Sequence, residues 1–271
     1  MNGASREALA AARERLDALT DSTSVDAGSL ADELASVTAL LHREVGLRRV
    51  LTDPAQTGEA KAQLVQRLLG TQVSGTAADL VSGLVRSRWS QSRDLVDALE
   101  ELADTADLTA AEKNGTLDDV EDELFRFGRI VSSSTELRAA LTDRKATAPA
   151  KAALLRSLLG GRAKPVTERL VTRLVTAARG RSLETGLESL SKLAAERRNR
   201  MVAVVTSAVP LSDPQKQRLG AALAKLYGRP MHLNLDVDPG VVGGIQVQVG
   251  DEVINGSIAD RLAEAGRRLA G

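Results

Sequence analysis

The feature that most constrains this chain is an internal repeat with a period of 90 residues. Between residues 47–85 and 137–175, 17 of 39 aligned positions are identical without a gap. A composition rich in Leu and Ala produces periodic leucines by chance, but it does not readily repeat turn residues in constant register. The shared stretches include Leu-Thr-Asp, Ala-Lys-Ala and Leu-Leu-Gly. The repeat therefore predicts two copies of one fold. The shared residues are mostly turn residues and leucines at the spacing of helix contacts. The repeat therefore specifies a fold rather than a chemistry.

The first 200 residues have the pattern of amphipathic helices. They are rich in Ala, Leu, Arg and Glu, which favour helix intrinsically. Apolar residues recur every three or four positions, as at Leu30, Leu34, Val37 and Leu41. We expect two tandem helical bundles, residues 1–104 and 105–200, with Leu, Ala and Val along the helix seams.

From about residue 200 the pattern changes to that of a small α+β domain, residues 201–271. The β-branched run 201–206 predicts a strand. Ser212 and Gln215 form the capping box of a following helix, and Gly228 is placed to end that helix. The fold class predicted for the whole chain is therefore mainly α, with a small α+β C-terminal domain.

The rest of this domain is predicted from alternation and turn residues. Apolar residues alternate with polar ones over 231–237 and again over 245–249, which is typical of half-buried strands. Residues 253–254 add a further short strand. A final amphipathic helix follows, with one apolar side formed by Ile258, Leu262, Ala265 and Leu269. The expected order is strand, helix, strand, strand, helix.

Composition excludes several classes of function. The 36 basic and 36 acidic side chains leave a net charge of zero, whereas nucleic-acid binders usually carry a basic excess. Aromatic residues, which stack on single-stranded bases, are nearly absent. The chain has no cysteine and hence no disulfide or thiolate chemistry. The aromatic residues are Trp89, Phe125, Phe127 and Tyr227.

The sequence also lacks the signals of membrane insertion and export. No apolar run approaches the roughly 20 residues that a spanning helix needs. The N-terminal residues have neither the apolar segment of a signal peptide nor the acid-poor character of a transit peptide. We therefore expect a cytoplasmic protein that reaches a membrane only through its partners.

Two groups of residues are candidates for ligand sites. Gly243, Gly244 and Gly250 flank an alternating strand, and no dinucleotide or P-loop pattern surrounds them, so we interpret them as structural glycines. His42 and His232 have no partner at metal-ligand spacing, so surface or edge packing is the better interpretation. The sequence predicts no catalytic, cofactor-binding or metal-binding residue.

Three further features have two interpretations each. The acidic run 118–123 lacks the spacing of a calcium loop and is better explained as a solvated helix start. The basic cluster 196–200 is either a solvated final helix turn or a hinge that contacts a partner. Trp89 is either a core anchor of the first copy or an interface residue, since aromatics are enriched at interfaces.

Residues 201–271 resemble the C-terminal domain of the ATP synthase delta family, which includes the mitochondrial oligomycin-sensitivity-conferring protein. Residues 206–211 (TSAVPL) are similar to the family's SAxPL motif before a helix. Residues 233–238 (LNLDVD) leading to 242–250 (VGGIQVQVG) are similar to its most specific signature. Residues 253–258 (VINGSI) are similar to its closing VxDGSx, with Asn255 in place of the usual Asp.

The helical part resembles the same family. In residues 105–200, Leu141, Lys151 and the leucines at 154–155 fit the family's N-terminal bundle, and 182–197 fit the helix that leads into the tail. Residues 1–104 then resemble a second copy of that bundle, which the standard family member lacks.

The resemblance implies a non-catalytic stator subunit of a proton-translocating F-type ATP synthase. It implies that the helical domain grips the N-terminal ends of alpha subunits, and that the tail engages the C-terminal ends of the b-type stalk subunits. One copy per complex, no cofactor, and a peripheral position on the cytoplasmic face of the bacterial cell membrane are further expectations. Which helical copy grips the head is left open.

Two other functions remain at this point. A general helical adaptor would share the bundle pattern but would show no preference for ATP synthase subunits. An enzyme that used the α+β tail would need a pocket of titratable groups. The few acidic residues of the tail do not obviously form one. They are Asp236, Asp238, Asp251 and Glu252.

Overall fold

The chain forms two compact units, residues 1–195 and 196–271. The computed structural model describes residues 1–21, 25–177, 180–198, 201–228, 231–238, 241, 244–249 and 252–255. The first unit is helical, and the second combines strands with a helix. The predicted fold class, mainly α with a small α+β C-terminal part, is confirmed.

The helical unit contains the repeat as four helices that recur in order. Helices α2–α5 return as α7–α10, with both ends of every helix displaced by 90 residues. The helices are α1 (Gly3–Asp21), α2 (Ala27–Arg43), α3 (Val45–Thr52), α4 (Gly58–Leu69), α5 (Gly75–Arg86), α6 (Ser92–Lys113), α7 (Leu117–Ser133), α8 (Thr135–Thr142), α9 (Ala148–Leu159), α10 (Pro165–Thr176) and α11 (Leu183–Arg198).

The turn residues shared by the two copies have the same role in each. Thr57 and Thr147 cap α4 and α9, where their hydroxyl oxygens accept from the amides of the residues three positions on, at 3.2 and 3.3 Å. Asp53 and Asp143 each accept from the backbone amide two residues further along, at 2.9 and 2.8 Å. These local bonds explain why the turns, and not only the leucines, are repeated.

Two hydrophobic cores lie in the helical unit, and both include α6. The first core runs from Leu9 to Ala106 in sequence, and the second from Leu108 to Ala194. Helix α6 is the 90-residue equivalent of α1, and α11 is in turn the equivalent of α6. It therefore closes the first copy and opens the second. The predicted division at 104/105 falls within this helix, and the domain limits remain a prediction.

The second unit is a four-stranded mixed sheet with one helix described. Strand β1 pairs in parallel with β2 and antiparallel with β3, and β3 pairs antiparallel with β4, which gives the order β2-β1-β3-β4. Helix α12 connects the two parallel strands. The elements are β1 (Met201–Ser207), α12 (Asp213–Tyr227), β2 (Met231–Val237), β3 (Ile245–Val249) and β4 (Glu252–Asn255).

The residues predicted to begin and end the helix of this unit are confirmed. The Gln215 side-chain oxygen accepts from the Ser212 amide at 2.8 Å, as a capping box requires. Gly228 ends α12 with a φ of 66°. The predicted final helix lies outside the described residues. The core of the unit consists of Ala203, Val205, Leu223, Val247 and Val249.

Candidate partner-binding surfaces

One glutamate in each copy accepts hydrogen bonds at the N-terminus of a later helix of the same copy. In the first copy, the Glu33 carboxylate accepts from the Ser74 amide at 2.8 Å and from the Ser74 hydroxyl at 2.6 Å. In the second, the Glu123 carboxylate accepts from the Lys164 amide at 2.9 Å and from the Thr167 hydroxyl at 2.5 Å. These contacts join α2 to α5 and α7 to α10. Glu123 belongs to the acidic run, so part of that run is structural rather than only solvated.

A buried ion network joins α6 to α10, where the two copies meet. Asp107 is completely buried and accepts from Arg173 at 2.7 Å and also from Arg169. Asp104 accepts from the same Arg173 at 2.7 Å. Arg169 also approaches Asp32 of α2 at 4.0 Å. The network thus includes side chains from both copies.

The charges in this network are perturbed by burial. Burial raises the pKa of Asp104 to about 6, although the Arg173 guanidinium opposes the shift. Burial likewise raises the pKa of Asp107 against Arg173 and Arg169. Burial lowers the pKa of Arg173, but the two carboxylates outweigh it, so the net direction is upward. A buried ion network of this kind adds little net stability, but removal of one partner leaves an unpaired buried charge and is strongly destabilising.

Sequence reasoning missed this network, although the repeat contains a signal for it. The positions equivalent to Arg169 and Arg173 in the first copy are Asp79 and Gly83. The arginines therefore break the repeat at the face where the second copy meets the first. A search for charged departures from the repeat would have found them.

The sequence-predicted sites are distributed rather than brought together. Trp89 packs against the first core, and its indole N–H donates to the Leu84 carbonyl at 2.8 Å, which supports the core-anchor interpretation. His42 lies beside Arg48, Arg93 and Val96 around a cavity of about 180 Å³. Within the described ranges, no cluster of His, Asp and Glu side chains is arranged to hold a metal ion.

The glycine and basic clusters are only partly described. Gly244 has a φ of 97°, which supports its structural interpretation, whereas Gly243 and Gly250 lie outside the described residues. The backbone of His232 lies in β2, but its side chain is outside the description. In the basic cluster, Arg197 is buried at 5% exposure, so the interpretation of this cluster as a solvated turn is wrong for that residue.

Each unit exposes apolar side chains of the kind that partners cover. On the helical unit, Phe125 and Ile130 of α7 are 58% and 53% exposed. Their first-copy equivalents, Ala35 and Leu40, are instead packed against the first core. On the α+β unit, Leu226 is 67% exposed, and exposed apolar residues also lie on the sheet. The others on this unit are Val209, Leu235, Val237 and Val253.

The comparisons with known proteins identify the family. The family model for the ATP synthase delta (OSCP) subunit matches residues 105–269, which is more than half of the chain. The chain belongs to the ATP synthase delta (OSCP) family. The matched range covers most of the second copy and nearly all of the α+β unit, and residues 1–104 lie outside it.

Curated relatives in this family extend over the first copy as well. The ATP synthase subunit delta of Streptomyces coelicolor is 85% identical over 270 residues, which cover 100% of this chain and 98% of that protein. The subunit delta of Streptomyces griseus is 79% identical over the full length of both. That of Kineococcus radiotolerans is 48% identical over 99% of this chain and 98% of its own length. The long, doubled form is therefore shared by these delta subunits.

A solved structure adds less. A chain in the cryo-EM structure of the Toxoplasma gondii mitochondrial ATP synthase hexamer aligns with 62% of this chain and 95% of its own length, at 21% identity. The TM-score of 0.30 is too low for a comparison of folds.

Membership of the delta (OSCP) family makes this chain a non-catalytic component of the peripheral stalk of an ATP synthase. The prediction that it is not an enzyme follows from the same membership and is confirmed. No helix in the described ranges combines the length and apolar character needed to cross a bilayer.

Proposed function

We propose that this protein bridges the catalytic head and the b-type stalk of an F-type ATP synthase, as a single copy per complex on the cytoplasmic face of the membrane. The helical unit grips the N-terminal ends of alpha subunits, and the α+β unit engages the C-terminal ends of b-type subunits. By holding both, the chain resists the torque of the rotor.

The observation that carries this proposal is the division into two compact units, each with its own core and its own exposed apolar side chains. A bridge needs two separate recognition surfaces, and an exposed apolar patch is a usual site for an amphipathic helix. Phe125 and Ile130 expose apolar surface on the helical unit, and Leu226 exposes apolar surface on the α+β unit.

The first test is a pull-down from detergent-solubilised membranes with the tagged full-length chain. We expect alpha, beta and b-type subunits to be recovered together. Recovery of unrelated proteins would favour the general helical adaptor and contradict the bridging function.

The second test separates the two surfaces. The full chain is immobilised, and two probes are added singly and together: a peptide from the N-terminal end of the alpha polypeptide and a fragment from the C-terminal end of the b-type stalk helix. We expect both to bind at once, Phe125→Asp to weaken only the alpha peptide, and Leu226→Asp to weaken only the b-type fragment. Leu68→Asp, at a leucine of the first copy that is 45% exposed, is the control. If both probes respond to the same substitution, the proposed division between the units is wrong.

A further inference from the structure

The second copy contains an open cavity of about 510 Å³ between α8, α9, α10 and the start of α11. That volume is within the range of roughly 300–1,000 Å³ seen for sites that bind small molecules. Leu141, Leu174, Val175 and Leu183 form apolar walls, and each of these side chains is nearly inaccessible to solvent. The cavity therefore has an apolar interior built from the second core itself.

The first copy has an aromatic side chain beside the equivalent of one cavity wall. Leu84 is the repeat equivalent of Leu174, and the Trp89 indole donates to the Leu84 carbonyl while its ring packs on the first core. Trp89 is the only tryptophan in the sequence. Its equivalent position is occupied by Arg179, which lies outside the described residues. The second copy thus has no aromatic residue at the equivalent position of the sequence.

The rim of the cavity is basic. Four cationic side chains line it, against the single carboxylate of Glu184. Of these cations, Arg138 approaches Glu184 at 3.6 Å and Arg181 binds Glu100. Among the described residues, the structure pairs no carboxylate with Arg144 or Lys151, and the side chain of Arg144 is exposed. The rim therefore favours a ligand that carries negative charge beside its apolar part.

We propose that this cavity binds a tryptophan side chain from an acidic segment of a partner protein. The ring packs against Leu174 and the other apolar walls of the cavity, and the flanking carboxylates of the segment pair with Arg144 and Lys151. A buried aromatic anchor with charged neighbours at the edge is the usual construction of an interface hot spot. The cavity contains no residue of α7 or α12, and the inference does not depend on what binds the exposed apolar side chains of those helices.

The test uses a synthetic probe, because the partner is unidentified. The probe is an acetylated, amidated Glu-Asp-Trp-Asp-Glu peptide that carries 5-fluorotryptophan, and its ¹⁹F resonance is followed as full-length chain is added. The chain contains no fluorine, so Trp89 does not interfere. We expect saturable binding that weakens as salt is raised, because exposed ion pairs are screened.

Variants at the cavity decide whether binding occurs there. Ala139 is exposed and lines the cavity, so Ala139→Trp is expected to block the site without disturbing the core. The pair Arg144→Ser and Lys151→Ser is expected to weaken binding about tenfold, because two ion pairs with the probe are lost. Arg162→Ser, an exposed arginine of the same copy outside the cavity, is the matched control. No binding at millimolar concentration, or equal binding by the Ala139→Trp variant, would overturn the proposal.

Discussion

At the scale of single residues, much of the folding information in this chain lies in a few polar side chains that accept hydrogen bonds at the starts of helices. Glu33 and Glu123 each satisfy backbone or hydroxyl donors at the start of a distant helix. The first amides of a helix have no partner within the helix, so a carboxylate placed there replaces water. These two contacts also tie helices that are about 40 residues apart in sequence.

Replacing Glu123 tests this capping role. Glu123→Ala removes the carboxylate oxygen that accepts both hydrogen bonds and is expected to lower the free energy of unfolding by about 1 kcal/mol, the usual size of a lost cap. Urea unfolding followed by circular dichroism measures the change. Glu33→Ala, the repeat equivalent, should behave in the same way, and Glu188→Ala, on an exposed face of α11, should be neutral. An unchanged midpoint for both caps would show that water replaces the carboxylates without loss.

Asp104 makes the stability of the helical unit depend on pH. Its pKa of about 6 in the folded protein is higher than the value of roughly 3.9 expected when the chain is unfolded. Between these values the folded chain binds the additional proton, so this carboxyl destabilises the fold progressively as pH rises from about 4 through about 6.

Asp104→Asn removes this pH-dependent contribution. We expect the free energy of unfolding of the variant, relative to the natural chain, to rise by about 2 kcal/mol between pH 4.5 and pH 7.5. Urea unfolding at a series of pH values measures the difference. Asp118→Asn, at an exposed residue in the first turn of α7, is the control. A constant difference across the pH range would contradict the raised pKa.

At the scale of elements, α6 differs from every other helix of the unit because it is buried on nearly all sides. Fourteen of its 22 residues are buried, among them Asp107 of the ion network. Helix α1, its repeat equivalent, buries one face only. A helix that packs against a single core keeps a polar face toward solvent. A helix that packs against two cores has no side left for such a face.

A proline in α6 is therefore expected to damage both copies. Ala106→Pro removes a backbone hydrogen bond in the helix interior and costs about 3 kcal/mol or more. Hydrogen exchange should show lost protection in α2 and in α10 together. Ala153→Pro, within α9, should affect the second copy first. Loss of protection confined to one copy in the α6 variant would show that the cores are independent.

In the α+β unit, the approach to β3 depends on a glycine. Gly244 has a φ of 97°, a conformation that side chains with a Cβ rarely adopt. Gly244→Val is expected to lower the free energy of unfolding of this unit by about 1–3 kcal/mol. Thermal unfolding followed by circular dichroism would detect this as a lower melting temperature. Gly220→Ala is the contrasting variant, because its Cβ would meet Leu233 only at an ordinary 3.7 Å within α12. We expect Gly220→Ala to be neutral or stabilising.

At the scale of the whole molecule, the sequence predicts the repeated parts well and the junction poorly. Thr57, Thr147 and the paired leucines recur because each copy needs the same turn and seam, so their register reveals the fold. The sequence does not indicate that the two copies share α6, because only three positions of this helix are identical to their equivalents in α1. These positions are Ala98, Leu99 and Asp107. Contacts such as Asp107 with Arg173 join residues 66 positions apart, so the departure of the arginines from the repeat is the one sequence signal for them.

Fragments test the sharing of α6 directly. Residues 1–113 and residues 92–198 each contain a complete set of six helices, whereas 1–91 lacks the helix that covers α2 and α3. We expect the first two fragments to be helical with cooperative melting, and 1–91 to be largely unfolded. Circular dichroism on the purified fragments measures this. A stable fold for 1–91 would mean that α6 is dispensable to the first copy.

A stalk under load bends most at its softest joint, and in a chain of modules that joint is normally the linker between them. The two helical copies have no such linker, because their cores meet within the 22 residues of α6. At 1.5 Å per residue this helix is a rod of about 33 Å, packed along its length. Tilting one copy against the other would require bending that rod. Duplication has thus added a second core to the helical unit without adding a flexible linker between the two.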